Sequence, residues 1–533
     1  MKPIVYCFVT VLFLAAWAAP TQAQTQLDPQ AQLQRLLETG YSLDTILVGF
    51  SPQISAESER AVAAAVGIAK IRDFERIDAG LYQVPHDQVL ETLERLSQRS
   101  EVAFAEPNYL RRTLATPNDP RYGEQWGFQR IDAESAWDIT QGNNVIVAVI
   151  DTGVDQDHPE LADQRWINTD EIAGNQIDDD NNGYVDDHYG YDFFGTATFF
   201  GLLPPPEGDE DSNPEDDNGH GSHTAGTIAA ATNNGIGVAG TASASRVMVL
   251  RALGGLLGFG YSSDIIDAMI YAVDNGAHVV SMSLGSTAFS NAELAVVSYA
   301  EDNNVLFVAA AGNGGNATMN YPAGYPDVMA ISATTSSDTL ASFSTRGANI
   351  DVGAPGQKVL STWKGGGYNK IDGTSMACPH AAGVCALVRS QFPNLNAGQV
   401  RQMVRDGAQD LGASGWDPNF GDGRLSAFGA LTATPADPGD VLLFCPGNGG
   451  TLNSGNTPFG FAWSTAQGAA SYALQLELPN GGTKTLKGIQ DNYFYPSQAS
   501  WNNAAPGSYR WRVAALDAGG QVLSTSGWWD FSI

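Results

Sequence analysis

Four short apolar runs constrain the fold of this chain more strongly than any other feature. They lie between Asp119 and Thr434, are separated by helical segments, and comprise residues 145–150, 247–250, 279–284 and 305–310. Strands without polar residues are buried on both faces, which is typical of a parallel sheet covered by helices. We therefore predict an α/β fold for residues 117–434, with an active site at the carboxyl ends of the strands.

Two smaller regions flank this α/β region. Residues 24–116 begin with an unpatterned Gln-rich leader, continue as a β-α-β-α-β pattern, and end in a polar link at residues 111–116. After a Pro- and Gly-containing linker at residues 435–439, apolar and polar residues alternate through residues 435–533. We expect a small α+β domain before the α/β domain and an all-β sandwich after it.

Residues 1–23 have the pattern of a cleavable export signal. Lys2 precedes an apolar run over residues 4–19, and Thr21 and Ala23 are small residues at the spacing that a signal peptidase reads. The apolar run is shorter than the roughly 20 residues that a membrane span needs. The sequence predicts a secreted, extracellular protein with no membrane span.

Charge and cysteine content exclude several classes of protein. A formal net charge of −31 excludes electrostatic binding to nucleic acid or to an anionic membrane. Cys7 would leave with the signal, and Cys378 and Cys385 are seven residues apart on a predicted helix, a rise of about 10.5 Å. That distance is too long for a disulfide bond, so we predict small buried apolar residues at both positions.

Four segments place polar residues where nucleophilic acyl transfer requires them. Asp151 ends an apolar strand, where a carboxylate can orient a histidine, and His220 begins a helix in Asn-Gly-His-Gly-Ser-His. Ser375 heads another helix in Gly-Thr-Ser-Met-Ala, where its backbone N–H and the helix dipole favour an oxyanion. Asn313 follows a strand in Ala-Ala-Gly-Asn and can donate a second hydrogen bond.

Together these motifs resemble those of the subtilisin-like serine proteases, in that family's order of Asp, His, Asn and Ser, over roughly residues 119–434. The resemblance implies serine endopeptidase activity with Ser375 as nucleophile, His220 as general base and Asp151 as its partner. His158, His223 and His380 are then packed structural histidines. The region before the catalytic domain resembles the family's inhibitory propeptide, whose end Glu-Pro-Asn-Tyr matches at residues 106–109.

The resemblance also places a substrate cleft. Its predicted lining comprises Ser283, Leu284, Gly285, Ala311, Gly312 and Asn320. Asn320 at the pocket floor offers no charge to select Lys or Arg. Leu256, Leu257 and Phe259 stand where relatives have a polar edge, which favours either a hydrophobic residue four positions before the cut or a sticky surface loop.

Calcium is predicted in two places. Residues 178–184 read Asp-Asp-Asp-Asn-Asn-Gly-Tyr and imitate the first half of a calcium loop, with candidate ligands Asp178, Asp180 and Asn182. The loop lacks a Glu at its twelfth position, so Asp186 or Asp187 would have to complete it, and a solvated acidic loop is the alternative. Family resemblance alone implies a second site at Asp119, Glu160 and Asn234.

Several alternatives stay open at this level. The tail resembles a fibronectin type III-like sandwich, and its tryptophans either form a core or contact carbohydrate or a cell surface. A catalytically dead binding protein is disfavoured because every residue of the triad is present. A peptide ligase and a processing protease of narrow specificity would use the same acyl-enzyme chemistry.

Overall fold

The computed structural model describes residues 41–51, 54–109, 116–194, 210–318, 320–452, 460–497, 500 and 503–533. The predicted export signal and the link at residues 111–115 lie outside these ranges. The chain divides into two compact units, Met1–Arg112 and Thr113–Ile533.

The first unit is an α+β domain with the element order βαββαβ. Its strands are β1 (Tyr41–Phe50), β2 (Ala69–Phe74), β3 (Ala79–Gln83) and β4 (Val102–Tyr109), which form an antiparallel sheet in the order β2-β3-β1-β4. Its helices are α1 (Ala56–Val66) and α2 (Val89–Ser97). Ser55 caps the start of α1 by accepting a hydrogen bond from the Ser58 N–H, and Gly67 ends the helix with φ of 80°.

Strand β2 corrects the predicted β-α-β-α-β order. It lies at the edge of the sheet, and five of its six residues are exposed. An exposed edge strand has no apolar alternation, because neither of its faces is buried. Because β2 contains charged residues such as Lys70 and Arg72, its sequence does not show the pattern that predicts a strand.

The second unit is built on a seven-stranded parallel sheet, which confirms the predicted α/β class. The strand order is β11-β10-β9-β8-β5-β7-β6. The strands are β5 (Ile146–Asp151), β6 (Gly190–Asp192), β7 (Arg246–Arg251), β8 (Val279–Met282), β9 (Leu306–Ala310), β10 (Val328–Thr334) and β11 (Ile350–Pro355).

Helices cover both faces of this sheet. They are α3 (Trp126–Arg130), α4 (Ala133–Trp137), α5 (His220–Ala229), α6 (Ser262–Asp274), α7 (Asn291–Asp302), α8 (Thr374–Gln391), α9 (Ala397–Asp406) and α10 (Ala427–Thr432). Val147 and Val149 of β5 belong to the hydrophobic core that includes α5 and α8, whereas Ala148 and Ile150 belong to the core that includes α6 and α7. Burial on alternate faces explains why this strand is wholly apolar.

A two-stranded antiparallel ribbon and two further sheets complete the unit. The ribbon is β12 (Val359–Trp363) and β13 (Gly367–Ile371). One C-terminal sheet has the order β14-β16-β19, from β14 (Leu443–Cys445), β16 (Phe461–Trp463) and β19 (Tyr493–Phe494). The other has the order β15-β22-β20-β17-β18, with β21 beside β20, from β15 (Gly450–Thr451), β17 (Ser471–Glu477), β18 (Thr483–Ile489), β20 (Ser508–Leu516), β21 (Val522–Thr525) and β22 (Trp529–Ser532).

The two C-terminal sheets share one hydrophobic core, as the alternating pattern predicts. Trp463 and Trp511 are fully buried in it, and β20 buries every second residue. The predicted burial of Cys378 and Cys385 is also confirmed. No helix in the described part of the chain is long and apolar enough to cross a bilayer.

Candidate active site

The four predicted catalytic residues meet at the carboxyl edge of the parallel sheet. Asp151 is the last residue of β5, and Asn313 follows β9 by three positions. His220 is the first residue of α5, and Ser375 is the second residue of α8. His220, Asn313 and Ser375 all line one cleft of about 560 Å³.

Asp151 holds the imidazole of His220 in a fixed tautomer. The carboxylate is fully buried, and its Oδ1 lies 2.7 Å from His220 Nδ1. The Thr152 N–H donates to the same oxygen at 2.8 Å, and the Thr224 hydroxyl donates to Oδ2 at 3.3 Å. Because Nδ1 carries the proton that faces Asp151, Nε2 of the neutral ring is left as the base.

The pKa of His220 is raised above its ordinary value by opposing influences. Burial disfavours the imidazolium ion and lowers the pKa, but the charge and hydrogen bond of Asp151, together with the charge of Asp216, outweigh it. The ring is 27% exposed toward the cleft. Asp151 therefore stabilises the cation that forms when His220 accepts a proton.

Asp216 organises the segment that carries His220, and the motif analysis missed it. Its Oδ1 accepts from the Gly219 N–H at 2.8 Å and from the Thr152 hydroxyl at 2.9 Å, while its Oδ2 accepts from Ser222 Oγ at 2.6 Å. Only 4% of the residue is exposed, and burial raises its pKa. The signal in the sequence would have been the acidic residue three positions before Gly219, because a carboxylate there can accept hydrogen bonds from the first N–H groups of the helix.

The hydroxyl of Ser375 points to a neighbouring carbonyl in this structure. Ser375 Oγ donates to Ser283 O at 3.1 Å, and Ser283 Oγ donates to Ser375 O at 2.8 Å. General-base catalysis requires this proton to be redirected to Nε2 of His220. Such hydrogen bonds commonly align only when substrate is bound.

The amide of Asn313 is oriented by Thr374. Its Oδ1 accepts from the Thr374 N–H at 2.9 Å and from the Thr374 hydroxyl at 3.0 Å. Nδ2 must then point the other way, and it lies 3.7 Å from the position that a Cβ on Gly373 would occupy. The Ser375 backbone N lies 3.5 Å from that same position. The two nitrogens therefore lie close to the same position beside Gly373.

The structure brings most of the predicted substrate-binding residues into the cleft. Ser283, Leu284, Gly285, Gly312 and Asn320 line it, whereas Ala311 is 98% buried behind it and Ala310 lines it instead. Residues 320–322 lie between the wall segment that contains Gly285 and the one that contains Gly312. Asn320 Nδ2 donates to Ala311 O at 3.0 Å, and a Cβ on Gly312 would lie 2.2 Å from that nitrogen. Residues that sequence reasoning missed also line the cleft, namely Leu253, Ile265, Glu293 and Tyr321.

Two of the three apolar residues that the sequence places at the substrate edge lie on one rim of the cleft. Leu257 and Phe259 line the cleft and are each 54% exposed, whereas Leu256 is 84% exposed and is not part of the lining. Asp217 holds this loop by accepting from the Gly255 N–H at 3.1 Å, and it is itself held by Arg251 at 3.0 Å. The rim is therefore an apolar surface in the same cleft as His220 and Ser375.

The remaining histidines of the motifs are packed, as predicted. His223 is fully buried with its Nε2 3.0 Å from Val359 O, and burial lowers its pKa to about 3. His380 bonds Met376 O at 2.8 Å, and burial lowers its pKa to about 4. His158 is buried with Nε2 2.9 Å from Gly367 O.

The acidic loop brings together a set of candidate cation ligands that differs in part from the predicted one. Oxygens of Glu171, Asp178 and Asp180 lie within 4.8 Å of one another. In the described part of the chain, Oε2 of the buried Glu171 has no hydrogen-bond partner. The Oδ1 of Asn182 is turned away to accept from the Tyr184 N–H at 2.8 Å. Neither proposed completing residue is free, because Asp186 accepts from two backbone N–H groups and Asp187 accepts from the side chains of Asn168, Asn182 and Tyr271.

At the second predicted calcium site the residues meet but bond one another. Asn234 Nδ2 donates to Glu160 Oε2 at 2.9 Å, and Glu160 Oε1 accepts from the Val238 N–H at 2.9 Å. Both oxygens of Asp119 accept backbone N–H groups, from Asn233 and Asn234. Each carboxylate oxygen of Asp119 and Glu160 has a protein donor, so no unpartnered oxygen marks a cation site among these three residues.

The fold and the cleft define a serine endopeptidase. Residues 142–423 match the family model described as the subtilase family, and the chain belongs to that family. Residues 29–108 match the fervidolysin N-terminal prodomain, so the enzyme carries a prodomain before its catalytic region.

Curated relatives and a solved structure agree with this assignment. A thermophilic serine proteinase from Bacillus sp. is 37% identical over 394 residues, which are 74% of this chain and 88% of the relative. The halolysin-like extracellular serine protease Nep of Natrialba magadii is 34% identical over 478 residues, 85% of this chain and 81% of the relative. A protease structure from Pseudoalteromonas arctica aligns with a TM-score of 0.51 at 29% identity, covering 60% of this chain and 99% of that chain.

Proposed function

We propose that Ser375 is the nucleophile, His220 the general base and Asp151 the residue that orients it, in a secreted endopeptidase that hydrolyses peptide bonds of proteins. The observation that carries this proposal is the 2.7 Å contact between His220 Nδ1 and the fully buried Asp151 carboxylate, in a cleft that also contains Ser375. This arrangement prepares Nε2 to accept a proton from a hydroxyl in the cleft.

In the proposed mechanism, Ser375 Oγ attacks the scissile carbonyl carbon while His220 Nε2 takes its proton. The carbonyl oxygen becomes an oxyanion between Asn313 Nδ2 and the Ser375 N–H, the two donors that flank Gly373. As the tetrahedral species collapses, the C–N bond breaks and His220 returns the proton to the leaving amine. Water then attacks the acyl-enzyme ester by the same route and frees Ser375.

The cleft supports broad specificity with a preference for large apolar or uncharged residues before the cut. Gly285 and Gly312 leave room for a side chain, and Asn320 is polar but uncharged. Leu257 and Phe259 offer an apolar surface to a residue further from the cut. Extended substrates paired through their backbone are read at few positions.

Mass spectrometry of the products from a denatured protein should therefore show hydrolysis at many sites, with few cuts after Lys or Arg. Hydrolysed fragments carry a new carboxylate, whereas a peptide ligase would join fragments, because an amine rather than water would resolve the ester. A map dominated by joined peptides, or by cuts after basic residues, would contradict the proposal. A single cleavage site would favour a processing protease of narrow specificity.

The N-terminal sequence supports secretion and self-inhibition. Residues 1–23 have the export pattern, and one relative, Nep, is an extracellular protease. The prodomain match supports a precursor in which this region inhibits the enzyme until it is removed. We also propose that residues 435–533 are fibronectin type III-like and contact carbohydrate or a cell surface. The candidate contact is Trp528, whose ring packs against the guanidinium groups of Arg510 and Arg512.

Calcium fits the cluster of Glu171, Asp178 and Asp180. A buried carboxylate oxygen without a partner is costly, and a hard cation with oxygen ligands removes that cost. The ion would supply structural stabilisation of the loop and no step of the reaction.

Chelation should therefore lower the melting temperature of the enzyme. At a hundredfold excess over its Kd, an ion that binds only the folded state stabilises it by about 2.7 kcal/mol, or roughly 5 °C. Calorimetry should show this shift in the wild type and a much smaller one in Glu171→Gln. Asp163→Asn, which removes an exposed carboxylate elsewhere, should behave as wild type. An unchanged melt of the wild type in excess chelator would remove calcium from this account.

A further inference from the structure

The C-terminal β-region, formed by the two sheets within residues 443–532, contacts the parallel-sheet region through residues next to β19 and β16. Asn492 Nδ2 donates to Asp327 Oδ1 at 2.7 Å, and both residues are 94% buried. Thr465 Oγ1 donates to Glu301 Oε1 at 3.2 Å. The buried Asn492–Asp327 pair is expensive to separate, because each partner would lose its hydrogen bond.

A row of packed aromatic rings leads from this contact toward the substrate cleft. The ring of Tyr495 packs edge-on against Phe289, with centroids 5.8 Å apart. Phe289 in turn packs edge-on against Tyr321 at 5.3 Å and Tyr325 at 5.5 Å. Such ring pairs have preferred geometries, so the position of one ring constrains the next.

Tyr321 is part of the wall of the cleft. It lines the cleft together with Asn320 and Pro322, and its backbone exchanges hydrogen bonds with Ser286 at 2.7 and 2.9 Å. Its carbonyl oxygen would lie 3.0 Å from a Cβ on Gly285. The segment that carries Tyr321 therefore spans the specificity pocket from its Gly285 side to its Gly312 side.

Tyr495 contributes to this row of rings through the packing of its own ring. Among the described residues its buried hydroxyl has no hydrogen-bond partner, so the hydroxyl is not what holds the contact. The ring also rests on Gly460, where a Cβ would lie 2.8 Å from Cε1. The ring therefore lies between the C-terminal β-region and the aromatic cluster behind the pocket, which consists of Phe289, Tyr321 and Tyr325.

We propose that Tyr495 is a positioning residue for proteolysis, and that the C-terminal β-region holds one wall of the specificity pocket through it. The β-region is then a working part of the peptidase and not a separable binding appendage. This inference rests on the proposed function of the cleft, since it concerns how the cleft receives a substrate side chain.

Kinetics of the processed enzyme with tetrapeptide p-nitroanilides test the proposal. For a substrate with Phe before the cut, Tyr495→Ala should raise KM about fivefold with kcat within about twofold of wild type, because a displaced binding wall weakens binding while Ser375, His220 and Asn313 keep their places. For a substrate with Ala before the cut, the rise should be smaller. Tyr495→Phe should restore the wild-type KM, since it deletes only the unpartnered hydroxyl.

Two further variants separate positioning from folding. Leu486→Ala truncates a half-buried side chain on β18, at the edge of the larger C-terminal sheet, and should leave KM unchanged. If Tyr495→Ala fails to accumulate, Tyr495→Leu keeps apolar bulk without the ring and should show the same rise in KM. A wild-type KM in the Tyr495 variant that folds, or an equal rise in Leu486→Ala, would overturn the inference. Failure of the proposed function is distinguishable, because the wild-type enzyme itself would then not cleave either peptide.

Discussion

Replacing Ser375 with Ala should reduce turnover of a peptide substrate by roughly 10⁶-fold, the loss that serine proteases of this kind show without their nucleophile. The alanine variant lacks the only oxygen that could form the acyl-enzyme in the proposed mechanism. Folding should survive, because the substitution removes a single oxygen atom. The hydrogen bond that this oxygen donates to Ser283 O is only partly buried. Measured kcat with a chromogenic tetrapeptide gives the effect directly.

The matched control is Ser336→Ala, which removes a hydroxyl from an exposed turn outside the cleft. This variant should keep wild-type kcat and KM. Residual turnover of Ser375→Ala above about one part in 10³ of wild type would mean that another group is the nucleophile.

Asp151→Asn should lower kcat by about 10⁴-fold without a change in fold. The amide presents N–H as well as oxygen to His220 Nδ1, so the proton can move to Nε2 and the ring can no longer accept one from Ser375. Asp151 also accepts from the Thr152 N–H and the Thr224 hydroxyl, and the retained amide oxygen can keep one of these contacts. Asp157→Asn, at an exposed position nearby, should be indistinguishable from wild type.

The pH profile of the same variant tests the cause of the His220 pKa. His220 must be neutral to act as a base, so activity falls as pH decreases through its pKa in the folded enzyme. Because Asp151 raises that pKa, the acid limb of kcat/KM for wild type should lie above the usual histidine value of about 6.5. In Asp151→Asn the negative charge that raises the pKa of His220 is lost, while the burial that lowers this pKa remains. The acid limb of kcat/KM should therefore move to lower pH. An unmoved limb would mean that another group sets it.

The sequence predicts the parts of this molecule that depend on local pattern. Predominantly apolar runs identify β5, β7, β8 and β9 because these strands are buried on both faces. Glycine-flanked Asp, His, Asn and Ser identify the cleft because each stands at the end of a strand or the start of a helix. Residue periodicity and short motifs contain both kinds of information.

Features that depend on distant contacts are not visible in the pattern. Glu171 joins Asp178 and Asp180 only through the fold of the loop, and the calcium-loop template led to Asn182 instead. Strand β2 is exposed, so burial gives it no signature. The alternating residues of the C-terminal β-region predict a sandwich, but nothing in them shows that Tyr495 reaches the aromatic cluster behind the pocket.

Removal of the prodomain by purified precursor tests the central claim most directly. The prodomain directly precedes the catalytic region, so its carboxyl end can be cut within the same molecule, and an intramolecular reaction gains many orders of magnitude in rate. Wild-type precursor should process itself at a rate independent of its concentration, and Ser375→Ala precursor, made in a host without other subtilases, should stay intact over the same time. Processing of the purified Ser375→Ala protein would contradict the assignment of Ser375 as the nucleophile.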